Sequence, residues 1–145
     1  MNYKPFCSTE ILFVNKEAMI ERLLRMNAEK IALVMSEKSM ERWNFEDFIT
    51  DLESTYNLTW IRNIAANPTQ KDVVNALHQL EHIDTIIAIG GGSAIDLAKA
   101  ISAFLNSPHR FNMDLITQSI KDGSYKNNHF IDIIAVPTTA GSGSE

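Results

Sequence analysis

The chain has 145 residues, the size of one ordinary domain, and its 45% hydrophobic and 21% charged content is globular, neither disordered nor collagenous. The formal net charge is −5 and the 13 Lys and Arg form no dense block, which argues against a nucleic-acid partner. No apolar run approaches a membrane span, so no membrane partner is expected; the opening "MNYKPFCSTE" has no signal-peptide core, and a single cysteine, Cys7, forbids an intrachain disulfide and fits a reducing cytoplasm.

Taken in chain order, the apolar run at residues 11–14 reads as a strand. A helix follows, with Asn15 as its cap and Met19, Ile20, Leu23 and Leu24 on one face. Residues 31–35 form the next strand. After Asn44, read as another cap, Phe45, Phe48, Ile49 and Leu52 repeat the helical spacing. The strand at 58–61 carries "NLT", a glycosylation sequon read as chance without a secretory signal. Thr69 and Asp72 suit a capping box ahead of Val73, Val74, Leu77 and Leu80. Residues 85–89 are a strand, and Leu97, Ile101 and Leu105 line the helix after it. Residues 106–130 are read as one short helix and a polar loop, and 131–136 as a strand. Most of these strand runs are nearly continuous, as expected when both faces are buried. Strands alternating with helices predict a parallel α/β sheet with right-handed crossovers. The chain closes on "AVPTTAGSGSE", a strand leading into a glycine-rich turn that would feed another element. It is therefore expected to be the N-terminal piece of a longer protein.

The chemistry concentrates in "IIAIGGGSAIDLAKAI", residues 86–101. Three glycines between a buried strand and a helix let backbone N–H groups approach an anion, and they aim a helix N-terminus at the same point. In an open parallel sheet, ligands sit at the carboxyl ends of strands, where this turn falls. A phosphate or pyrophosphate is the candidate ligand; Ser93 could add a donor, and Ala94 and Ala98 leave room for close helix packing. The competing reading is a turn serving only helix–sheet packing, which three glycines exceed. G-x-G-x-x-G fails at Ile95, and Lys99 is misplaced for a Walker A loop. Pattern alone therefore stops at a phosphate-binding α/β domain.

The paired segments "IAIGGGSAIDLAKAI" and "IIAVPTTAGSGSE" resemble the iron-containing alcohol dehydrogenase family, with its G-G-G-S-x-x-D-x-x-K loop and its later P-T-T-x-G-[ST]-G-S-E segment. "AANPT" at 65–69 and "ALVMSEKSM" at 32–40 are similar to its N-P-T segment and its second strand and turn. The resemblance implies a Rossmann-like nucleotide-binding domain of the dehydroquinate synthase-like type over residues 1–145, with the family's helical second domain absent from the chain. It implies that Gly90, Gly91, Gly92 and Ser93, with Ala94, cradle the pyrophosphate of NAD or NADP. Asp96 and Lys99 would organise the loop and helix. Glu37 would stand near the adenosine ribose and Asn67 near the cleft, while Thr138, Thr139, Gly141 and Ser142 would line the far side of the cofactor. The family's metal ligands, an Asp and three His holding iron or zinc, would lie beyond the P-T-T segment, so no metal or catalytic residue is assigned. The implied activity is hydride transfer between NAD(P) and a small alcohol or aldehyde, in a cytoplasmic homo-oligomer. The alternatives are a non-catalytic nucleotide-binding fragment and a dehydroquinate-synthase-like lyase. The segment "ITQSIKDGSYKNNHFIDI" also resembles phosphonoacetaldehyde reductases of the family. A carboxylate at Glu37 would favour NAD by repelling a 2′-phosphate, with Ser36 and Lys38 softening the effect.

Other features read as structural. "HQLEH", His78 to His82, matches H-x-x-E-H, but the two histidines are read as one solvated helix side away from the apolar stripe. His109 and His129 are read as loop residues, and Trp43 and Trp60 as packing in the core or between helix and sheet.

Overall fold

The computed structural model describes residues 15–140; the expected strand at 11–14, Cys7, Gly141 and Ser142 lie outside the described residues. In chain order the elements are α1 (Lys16–Arg25), β1 (Lys30–Val34), α2 (Glu37–Trp43), α3 (Glu46–Thr55), β2 (Asn57–Ile61), α4 (Gln70–His78), β3 (Thr85–Gly90), α5 (Gly92–Phe104), α6 (Met113–Asp122), a 3-10 turn (Ser124–Asn127) and β4 (Asp132–Pro137).

The four strands form one parallel sheet in the order β2-β1-β3-β4. Alternate residues of the central strands feed two cores. Ile31, Leu33, Met35, Ile87 and Ile89 pack with Met19 and Leu23 of α1 and with Phe48, Ile49 and Leu52 of α3. Ala32, Val34, Ile86 and Ala88 pack on the opposite face with Val73 and Leu77 of α4 and Ile95, Ala98 and Ile101 of α5. Helices on both faces explain the unbroken apolar runs, and every residue of β3 is buried. β4 departs from the expected burial, because among the described residues it pairs with β3 alone and its other edge is half-exposed.

Several local expectations hold and others are corrected. The Asn15 side chain caps α1, and Thr69 and Asp72 form the reciprocal capping box of α4. Asn44 does not cap α3. It adopts a left-handed conformation with φ 52° and closes α2, a helix with no buried residue and hence no apolar stripe to announce it. Leu24, expected on the inner face of α1, is 58% exposed, and Trp43 is 43% exposed with the Arg42 guanidinium 5.4 Å from its ring.

The amino edge of the sheet is tied by one carboxylate. Asp84 accepts the backbone N–H groups of Lys30 and Glu29, each at 2.9 Å, so the turn before β3 holds the entry to β1. These bonds hold its carboxyl below the usual range, with a smaller contribution from His82 at 3.0 Å. A depressed folded pKa contributes stability that is complete above the unfolded carboxylate pKa and is lost as pH falls through the folded value. Asp84→Ala is therefore expected to lose about 1–2 kcal/mol at neutral pH. In urea denaturation its deficit against the parent protein should shrink in acid; a deficit that is independent of pH would show that the carboxylate charge plays no part.

Candidate functional site

The chain leaves β1 toward the α2–α3 face and leaves β3 toward the α5 face, although β1 and β3 are neighbours. That divergence marks the carboxyl edge between them as the place where open α/β sheets bind ligands. Four segments meet this edge: 35–37 after β1, 62–69 after β2, 90–93 after β3 and 137–139 at the end of β4.

The glycine turn owes its shape first to its own neighbours. Gly90 has φ 154°, a region side chains rarely adopt, and a Cβ there would lie 2.9 Å from the Ala94 methyl carbon. A Cβ on Gly91 would meet Thr139 Oγ1 at 3.2 Å and Cγ2 at 3.3 Å. The Thr138 N–H donates to the Gly90 carbonyl at 2.9 Å, so the P-T-T segment closes directly over the turn. At Gly90 contacts within the chain by themselves call for glycine, whereas at Gly91 a Cβ would need the Thr139 side chain to give by a few tenths of an ångström. The same contacts bring together the two segments that carry the resemblance.

α5 begins here, with Gly91 at its N-cap position and no side chain to cap it; the Ala94 and Ile95 N–H groups return to the Gly91 carbonyl. Ser93 Oγ accepts the Asn67 N–H at 3.3 Å, which joins the 62–69 loop to the glycine turn and leaves the hydroxyl proton to donate elsewhere. Asn67 is held in a left-handed conformation with φ 56°, and the Thr69–Asp72 capping box fixes where this loop enters α4. Asp96, one turn into α5, and Lys99 both lie on its exposed side.

Glu37 is the first residue of α2, after the Ser36 cap. Its Oε1 lies 3.2 Å from Arg62 Nη1, with the two side chains 60% and 50% exposed. The Arg62 guanidinium sits 4.0 Å from the Trp60 ring centroid, and the Trp60 indole N–H donates to the Met35 carbonyl at 2.7 Å. Arg62 escapes notice in the sequence. The available signal was a cation one residue past the second strand, beside the carboxyl end of the first.

The histidines lie elsewhere. α4 ends at His78, whose ring stacks on Phe111 at 4.2 Å, and His82 lies beyond the helix beside Asp84. They therefore share no helix side, and both stand toward the amino edge. Among the described residues no three His, Cys, Asp or Glu side chains gather as a metal site, and no helix is long and apolar enough to cross a membrane.

A doubly wound parallel domain with a glycine turn and helix N-terminus at its ligand edge is the class that this architecture defines. The chain belongs to the iron-containing alcohol dehydrogenase family, whose profile matches residues 8–145. It is 30% identical over 136 residues to the human mitochondrial hydroxyacid-oxoacid transhydrogenase, covering 91% of this chain and 29% of that protein. It is also 30% identical over 132 residues to lactaldehyde reductase of Escherichia coli, covering 88% of this chain and 33% of that enzyme. The solved iron-containing alcohol dehydrogenase of Thermotoga maritima superposes with a TM-score of 0.70 at 26% identity, over 94% of this chain and 38% of its own. The chain thus spans about a third of the length of these relatives.

Proposed function

We propose that the chain is the cofactor-binding portion of an NAD(P)-dependent, metal-dependent alcohol dehydrogenase or aldehyde reductase acting on a small alcohol or aldehyde. The observation that supports this best is the closure of the P-T-T segment over the glycine turn at the sheet's ligand edge, beside the N-terminus of α5. The residues fit a dinucleotide. The α5 N-terminus and the Ser93 hydroxyl suit the pyrophosphate, Thr138 and Thr139 border it, and the Glu37 carboxylate suits ribose hydroxyls. The nicotinamide would supply hydride transfer, and iron or zinc held by residues past the P-T-T segment would polarise the substrate oxygen. The family match and the P-T-T segment favour the oxidoreductase over a lyase.

The narrower substrate, phosphonoacetaldehyde, rests on residues 116–133. Much of that stretch forms α6 and the 3-10 turn, beyond the far end of α5 from the glycine turn, about 20 Å away along a 13-residue helix. Its support is therefore in the sequence and not in the site. Cytoplasmic location and a homo-oligomer belong to the same proposal; transhydrogenases among the relatives are named as mitochondrial. Calorimetric titration with NAD and NADP tests the reading. Saturable binding of one dinucleotide per chain is expected, without alcohol oxidation by the chain alone. A folded chain that binds neither cofactor overturns it.

A further inference from the structure

We infer that Arg62 is a latent ligand for the cofactor's 2′-phosphate, held in reserve by Glu37, so that this pair rather than the carboxylate alone sets the choice between NAD and NADP. The inference rests on the proposed dinucleotide site and adds a residue to it. A lone carboxylate at the end of β1 would repel a 2′-phosphate. This carboxylate is not alone, because Arg62 Nη1 stands 3.2 Å from its Oε1. The pair reaches the ligand edge through strand register: Val34 faces Ile61, so Glu37 and Arg62 follow paired strand ends. The guanidinium is held from below by the Trp60 ring at 4.0 Å, and that ring is itself anchored by its N–H on the Met35 carbonyl.

Stacking on an aromatic face leaves the planar fork of an arginine free to turn between anions while its centre stays in place. Both members of the pair are half-exposed or more, so the contact is easily exchanged. With NAD, Glu37 can accept from the ribose hydroxyls while Arg62 holds the carboxylate in place. With NADP, the guanidinium can leave Glu37 for the phosphate, which it can meet with two parallel hydrogen bonds. Lys38 adds positive charge next to the carboxylate and works in the same direction.

The test measures dissociation constants of NAD and NADP for the full chain and for Glu37→Gly, Arg62→Ala and the double variant, each checked for folding by circular dichroism. Both side chains are exposed, so the variants should fold. Arg62→Ala should weaken NADP about tenfold or more and leave NAD within about threefold. Glu37→Gly should tighten NADP by about tenfold, and the double variant should lose that gain. In a Trp43→Phe background, Trp60 emission should respond to 2′,5′-ADP more than to 5′-AMP, because only the former draws the guanidinium away. NADP affinity that improves equally in Glu37→Gly and in the double variant overturns the role of Arg62 while leaving the dinucleotide site intact. Failure of the parent chain to bind either cofactor removes the site and this inference together.

Discussion

Gly91→Val is expected to weaken dinucleotide binding more than tenfold, about 1.4 kcal/mol or more. The space a side chain would need at Gly91 is taken by Thr139, whose Oγ1 and Cγ2 would lie 3.2 and 3.3 Å from even a single Cβ. A branched side chain must push the P-T-T segment off the turn. That strains the bond from the Thr138 N–H to the Gly90 carbonyl and tilts the start of α5. Two causes of lost affinity can be separated, because Thr139→Ala removes Oγ1 and Cγ2 and leaves only its own Cβ, at 3.9 Å. The double variant Gly91→Ala, Thr139→Ala should therefore bind within about threefold of Thr139→Ala alone. If the double variant stays as weak as Gly91→Val, the ligand itself comes in along the Cβ direction of Gly91. Unchanged affinity in folded Gly91→Val would mean that the glycine turn is not the pyrophosphate site.

Leu33→Ala should cost about 3 kcal/mol, within the roughly 2–5 kcal/mol span of buried leucine truncations. Leu33 is fully buried in the central strand β1 and belongs to the core of the α1–α3 face. Interior packing cannot close around the missing atoms when sheet neighbours on both sides hold the backbone in register. Against a typical domain stability of about 5–15 kcal/mol, the loss is large. Leu24→Ala serves as the comparison. Leu24 is 58% exposed, so its truncation should stay within about 0.5 kcal/mol. Urea denaturation monitored by circular dichroism reads both, and equal losses would contradict the assignment of faces to α1.

The four described strands were legible in the sequence to within a residue or so at each end. The central strands β1 and β3, covered by helices on both sides, are short unbroken apolar runs, and such runs stand out between polar helical stretches. The capping box at Thr69 and Asp72 and the Asn15 cap were legible too, because both ends of each interaction lie within three residues. The glycine turn announced a close approach, and its pairing with the P-T-T segment marked the family.

What tertiary structure alone decided is of another kind. α2 has no buried face, so its residues carry no periodic signal, and Asn44, read from the sequence as the cap that opens α3, proves to close α2. Strand order puts β1 between β2 and β3, which makes the gap between β1 and β3 the ligand edge. Sequence spacing carries no information about that order. Thr139 over Gly91 and Arg62 against Glu37 are contacts between distant segments, created when parallel strands align their carboxyl ends. Hydrophobic periodicity is a local property of the chain, set by which face of each element meets the core. The partners of a polar side chain at the sheet edge depend on register and crossover direction, which exist only once the sheet has formed.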